Sequence, residues 1–156
     1  MDSSDILAAF ALCASAASAV YARWAGRAAQ RANEIAIHNE RLRIYKGLLE
    51  FRAMLMTRGP NFPDDELWKI ADLALLSEFY FSEAAHNAMQ KLVKNGNEVK
   101  ARYEHWQATK ESRGDIRTAV QAMNELHRAT RDECGVVAEI LKPNLLLHKN
   151  KPMWFF

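Results

Sequence analysis

Residues 6–22 read Ile6-Leu-Ala-Ala-Phe10-Ala-Leu-Cys13-Ala-Ser15-Ala-Ala-Ser18-Ala-Val-Tyr21-Ala22, seventeen positions without a charge. A helix that crosses the hydrocarbon core of a bilayer needs about 20 mostly apolar residues. Continuing through Trp24 adds only Arg23, whose long side chain can reach the headgroups, so the stretch 6–24 is just long enough. Its composition is modest for a span, because alanine dominates and Ser15 and Ser18 are polar. Three readings compete. A secretory signal fits the A-x-A-like spacing within residues 14–19, but such signals open with basic residues, and here Asp2 and Asp5 precede the apolar run. A soluble helix with so few polar side chains needs a core that surrounds it on all sides. A transmembrane helix is the reading the flanks favour.

Those flanks differ in sign. Asp2 and Asp5 lie before the segment, and Arg23, Arg27 and Arg31 follow it. Basic residues collect on the cytoplasmic side of a span, which places the amino terminus outside and the body of the chain in the cytoplasm. Tyr21 and Trp24 fall at the basic end, so Tyr21, Arg23, Trp24, Arg27 and Arg31 form the expected membrane interface. Small residues recur at four-residue spacing, as Ala9/Cys13/Ala17 and as Ala14/Ser18/Ala22/Gly26. Such rows let helices approach closely in lipid and favour self-association, although an alanine-rich stretch also generates them by composition alone.

The whole chain has 156 residues, which argues for one domain. Apolar residues make up 49% and charged residues 26%, which excludes a disordered, collagen-like or disulfide-stapled chain. A mean hydropathy of -0.29 leaves room for one span and not several. The net charge of +2 hides blocks: residues 23–58 carry eight bases against Glu34, Glu40 and Glu50, and residues 59–90 carry six acids against Lys69. Such blocks bear on partners and membrane orientation. Cys13 and Cys134 stand in no motif, a usage that fits a reducing compartment or two buried thiols.

Beyond the span the chain reads as helix throughout. Glycine (6) and proline (4) are scarce, and β-branched residues are few. No proline interrupts residues 27–56, where Ile35, Leu42, Leu49 and Met56 recur every seven residues beside a second row of Ile37, Ile44 and Phe51, joined by Leu48 and Leu55. Together they predict a broad apolar face on a long helix. Arg58-Gly-Pro-Asn-Phe-Pro63 is a loop. Acids after Pro63 start a second helix with apolar positions Leu67, Trp68, Ala71, Leu75 and Phe79. Ser82 caps a third helix reaching Val93, Asn95-Gly96-Asn97 reads as a turn, and a polar helix follows from Glu98 to Glu111. Asp115 caps a last helix with Ile116, Val120, Met123, His127, Cys134, Val137 and Leu141 on one face, ended by Pro143. The expected fold class is all-α. Residues 1–5 form a short external terminus and 6–24 a transmembrane helix. That helix continues into a cytoplasmic bundle of four or five helices over 25–156.

Two blocks carry a resemblance: Arg41-Leu-Arg-Ile-Tyr45-Lys-Gly-Leu48-Leu-Glu-Phe51 after a basic membrane flank, and Glu78-Phe-Tyr-Phe81-Ser-Glu-Ala-Ala-His86-Asn-Ala-Met89. Together they resemble a diffuse group of small bacterial single-span helical membrane proteins of unknown function, over about the first two thirds of the chain. The resemblance rests on apolar spacing. It implies a bacterial inner-membrane location with a cytoplasmic carboxyl-terminal domain, and it implies no activity.

Candidate chemistry is thin. Glu83-Ala-Ala-His86 is the one E-x-x-H, which sets a carboxylate and an imidazole on one helix face, and Glu34 and His38, at i, i+4, are a second possible pair of ligands. Di-iron bundles need two E-x-x-H pairs and two further glutamates, so a solvent-exposed helix start is the simpler reading. Arg31 and His38, six residues between them, resemble the R-x(4–6)-H motif of HEPN-type ribonucleases. There His38 would move protons and Arg31 would steady phosphate charge. Position 32 is alanine where that motif has a polar residue. No nucleophile constellation or glycine-rich phosphate loop occurs, and no cofactor is expected. Nucleic acid is not expected as a partner, because anionic lipid attracts the same juxtamembrane bases at about 1 kcal/mol each.

Residues 149–156, Lys-Asn-Lys-Pro-Met-Trp-Phe-Phe, end in three adjacent aromatics. Trp154, Phe155 and Phe156 are partner-binding candidates that can dock back on the bundle, enter the membrane interface, or fill a groove on another protein. The expected function is that of a membrane-anchored interaction or scaffold protein without catalytic activity. Its partners are the lipid bilayer and either a second copy or another membrane protein. The alternatives are a metal-free ribonuclease and a soluble helical regulator that buries the alanine-rich helix.

Overall fold

A computed structural model describes residues 3–111 and 115–146. Four α-helices make up almost all of this, and no strand occurs among the described residues. Helix α1 runs Ser3–Arg58, α2 Asp64–Tyr80, α3 Glu83–Glu111 and α4 Ile116–Leu141, followed by a 3-10 turn at Lys142–Leu145. The chain divides into two compact units, Met1–Ile37 and His38–Phe156.

The first unit is the leading part of α1. Every residue in the range 6–36 is exposed. Among the described residues one helix, Ile6–Arg58, is long and apolar enough to cross a membrane, and none of its most apolar window is buried. The two serines that weaken the segment as a span are satisfied internally. Ser15 Oγ donates to the Ala11 carbonyl at 2.8 Å and Ser18 Oγ to the Ala14 carbonyl at 2.8 Å. A hydroxyl bonded four residues back has no need of water, which lowers its cost in an apolar medium.

The second unit holds the core. Helix α1 stops where Gly59 takes φ 63°, a left-handed value, and its N–H bonds the Leu55 carbonyl at 3.1 Å. Glycine adopts that conformation without the Cβ clash other residues meet, and Pro60 cannot prolong the helix. Pro63 starts α2 with φ -66° and ψ 150°, and Asp64, Asp65 and Glu66 sit in its first turn, where the helix dipole favours acids. Ser82 Oγ accepts from the Ala85 N–H at 3.4 Å at the head of α3. Asp115 caps α4, accepting from the Thr118 N–H at 3.3 Å and the Thr118 hydroxyl at 2.6 Å.

Ile44, Leu48, Phe51 and Leu55 of α1 meet Ile70 and Ala74 of α2, Met89 and Leu92 of α3, and Val137 and Leu141 of α4 in one continuous cluster. Each fully buried large side chain contributes about 1.5–3 kcal/mol. Phe62 joins them from the loop, its ring 5.9 Å from that of Phe51 and nearly perpendicular, so the loop's one aromatic is part of the core.

The structure corrects three sequence expectations. The broad face of α1 is a narrower one: the Ile44 row is buried, whereas Ile35, Leu49 and Met56 are exposed and Leu42 is half-buried. Trp68, Leu75 and Phe79 lie outside the core, because α2 buries Leu67, Ile70, Ala74 and Ser77 instead. Asn95-Gly96-Asn97 is not a turn, and α3 runs through it, so the described residues hold four α-helices. Gly96 is buried there, and a Cβ on it would stand 2.8 Å from Leu67 Cδ1 and 3.5 Å from Phe51 Cζ. The absent side chain admits its neighbours, and that packing outweighs the roughly 1 kcal/mol helix cost of glycine. The flanking asparagines have helical uses: Asn97 Nδ2 bonds the Val93 carbonyl at 3.0 Å, and Asn95 Nδ2 bonds Glu133 of α4.

Candidate functional surfaces

The interface residues expected at the membrane lie together on α1. Tyr21 and Trp24 are exposed, and with Ala16, Ala17 and Val20 they line a shallow apolar depression. Arg23, Arg27 and Arg31 are exposed one helical turn apart. This arrangement presents aromatic rings and then a row of cations, the order found where a helix leaves lipid for water.

Arg31 is exposed in the first unit, and His38 is half-buried at the start of the second. Glu34 is exposed. Glu83 is the exposed first residue of α3, and His86, half-buried, lies at the contact between α3 and α2. Its Nδ1 lies 3.1 Å from Ser77 Oγ and 3.1 Å from the Ala74 carbonyl. The Ser77 hydroxyl donates to that carbonyl at 2.6 Å. Both neighbours therefore offer lone pairs, and Nδ1 must carry the hydrogen. His86 is thus a bridge that satisfies a buried serine and a helix carbonyl. His127 plays a similar part, its Nε2–H donating at 3.0 Å to the Leu55 carbonyl in the last turn of α1. Among the described residues no three His, Cys, Asp or Glu side chains gather as a metal ion would require.

Cys134 is not a poised nucleophile. Burial pushes the Cys134 thiol up to about 12, while the Arg52 guanidinium pulls the other way. Burial wins, so the thiolate that does the chemistry is scarce near neutral pH.

Two features escaped the sequence. Arg41 reads as one more base in a basic run, yet it joins three elements. Its Nε donates to the Tyr80 carbonyl at 2.8 Å, its Nη1 donates to the Asn144 carbonyl at 3.3 Å, and its guanidinium stands 6.0 Å from the centre of the Phe81 ring. Only the fold brings those carbonyls to one side chain. The other feature is the outer face of α2. Trp68, Leu75 and Phe79 are 72%, 57% and 78% exposed, and their i, i+7, i+11 spacing puts them in one stripe. The signal was present in that spacing, distinct from the Leu67/Ile70/Ala74/Ser77 row. Exposed aromatics in a line, unlike scattered ones, mark an interaction surface.

Set against protein-family models, curated proteins and solved structures, the chain matches none. The surfaces above therefore carry the functional argument.

Proposed function

We propose that this is a single-pass, membrane-anchored helical interaction protein without catalytic activity of its own. Residues 6–24 cross a bacterial inner membrane with the amino terminus outside, and the second unit offers helical surfaces in the cytoplasm. It self-associates through the span or pairs with another membrane protein, and it uses no cofactor. The observation that carries this reading is the exposure of the apolar window of α1: a soluble helix of that composition is stabilised by burial, and none of this one is buried. The internally bonded serines, the acid-to-base change across the segment and the Tyr21/Trp24 pair at its basic end agree with it. The likeness to small bacterial single-span helical proteins, drawn on residues 41–51 and 78–89, points the same way.

Fractionation tests the anchor. The full chain should remain with membranes through alkaline carbonate and leave them only with detergent. Recovery of the full chain as a monodisperse soluble species sinks the reading in favour of a soluble regulator. The non-catalytic part has its own test. Purified protein should leave single-stranded RNA intact, and cleavage lost on Arg31→Ala or His38→Ala would establish the ribonuclease instead.

A further inference from the structure

We infer that α1 pairs in parallel with α1 of a second copy along its outer face in the second unit, where Asn39, Leu42, Lys46, Leu49, Ala53 and Met56 form the seam of a two-stranded coiled coil. Trp154, Phe155 and Phe156 lie outside the described residues and take no part in it. The inference deepens the self-association proposed above. It rests on the anchor for one point, that both copies enter the cytoplasm in the same direction.

The argument starts from which side of the helix is free. Within the second unit α1 gives one side to its own core, where Ile44, Leu48, Phe51 and Leu55 are buried. The seam residues alternate at spacings of three and four on the other side, and all are exposed except Leu42, which is half-buried. Leu49 is 38% and Met56 64% exposed. A helix that packs only on its own domain needs one apolar face, with polar residues opposite it. The second row is also a strict repeat of seven. In the amino-acid sequence Leu7, Ala14, Tyr21, Ala28 and Ile35 carry the same spacing, and alanine or serine stands four residues after each of the first four. On a straight helix of about 3.6 residues per turn such a row drifts by about 20° per heptad. It stays a single seam only when two helices wind around each other.

The same row specifies the partner. A second copy carries this period in register by identity, so Leu42, Leu49 and Met56 each meet their own counterpart. The polar seam positions suit two strands. Asn39 has donor hydrogens and an acceptor oxygen, so two copies of it satisfy one another across the axis. Lys46 lays its stem along the seam and keeps its ammonium in water. An Asn or Lys at such a position fixes register and strand number at a cost in stability. Charge on the flanks agrees with a parallel pair. Arg43, Glu50 and Thr57 line one flank, and His38, Tyr45 and Arg52 line the other. Across the seam these set His38 toward Arg43, Tyr45 toward Glu50 and Arg52 toward Thr57 of the second copy. No pair brings two fixed like charges together, and the Tyr45 hydroxyl is a donor for the exposed Glu50 carboxylate.

The test uses the full chain in mild detergent, in a Cys13→Ala background where buried Cys134 stays unreactive. Asn39→Cys and Ala53→Cys, made singly, should each form an intermolecular disulfide on mild oxidation, since a parallel seam brings like residues within the roughly 7 Å Cα separation that a disulfide spans. Arg58→Cys, on the opposite side of the helix, should not. Bonding at only one of the two seam sites is the mark of an antiparallel pair and overturns the inference. Sedimentation equilibrium reads the strength of pairing. Leu49→Glu with Met56→Glu should weaken the dimer about tenfold or more, and Lys46→Ile should tighten it by as much. These positions lie outside the chain's own core, so Cys134 should stay protected from thiol reagents, which separates lost pairing from lost folding. A chain that is monomeric at every concentration, or a dimer indifferent to these substitutions, overturns the inference. Fractionation judges the anchor separately: a membrane-bound monomer sinks the seam alone, and a soluble parallel dimer sinks the anchor alone.

Discussion

The Nε of Arg41 on α1 donates to the carbonyl oxygen of Tyr80 at the end of α2, 2.8 Å away. The last carbonyls of a helix have no partner of their own, and a cation there also answers the helix dipole. The same guanidinium reaches the carbonyl of Asn144 after α4, so one side chain closes the ends of two elements against α1. Arg41→Ala should lower the stability of the full chain by about 1.5–3 kcal/mol, read as a fall in the urea midpoint in mild detergent. Arg41→Lys should recover less than half of it, because an ammonium lacks the planar fork that serves two carbonyls. Equal stability of Lys and Arg at this position would show that charge alone matters.

Gly47 of α1 lies close against Leu73 of α2. A Cβ there would lie 2.1 Å from Leu73 Cδ1. Gly47→Ala gains about 0.5–1 kcal/mol of helix propensity, but overpacking costs about 1–3 kcal/mol. The net effect should be destabilising. Leu73→Ala added to it should relieve the clash, so the double variant should be more stable than the two single effects predict. Simple additivity would mean that the two side chains do not meet.

The Cys134 thiol, raised by burial from an ordinary 9.0 to about 12, should resist thiol reagents at pH 8 until the protein unfolds. Its raised value also has a stability consequence. Between about pH 9 and 12 the unfolded chain releases this proton and the folded chain keeps it, so folding stability should fall as pH rises through that window. Labelling of Cys134 in the native protein at the rate of a free thiol would contradict its burial.

Asp115 is exposed, and its bonds to Thr118 hold its carboxyl below the usual 3.8. Its contribution to α4 should be present above the ordinary carboxylate value and lost as pH falls through the lower, folded one. Asp115→Ala should therefore lower the melting temperature at pH 7 and make little difference at strongly acid pH. A gap that persists there would assign the effect to something other than the charged cap.

Trp68 and Phe79 stand on the outside of α2, so Trp68→Ser and Phe79→Ser should each cost less stability than a truncation in the core. Phe51→Ala, in the core, should cost about 3–5 kcal/mol. Chemical denaturation of the three variants separates a surface kept for binding from one kept for packing. A large loss at Trp68 would put it back in the core.

Local chemistry accounts for what was legible in the amino-acid sequence. The stop at Gly59-Pro60, the acids opening α2, the caps at Ser82 and Asp115, and the break before Pro143 are all interactions between residues a few positions apart. They appear in the structure where their residue types require. The charge-free run in residues 6–22 and its acid-to-base flanks are equally local, and so is the all-helical class. Tertiary structure decided the rest. Which of two apolar rows on α1 is buried, and whether Leu67 or Trp68 faces inward on α2, depends on where neighbouring helices lie, and both choices satisfy helical periodicity. Asn95-Gly96-Asn97 has the composition of a turn, and it stays helical because Leu67 and Phe51 press on a glycine that only the folded chain brings beneath them. Arg41 and Tyr80 are 39 positions apart, too far for any local pattern to pair them. Periodicity determines that a face exists, and packing determines which face is used.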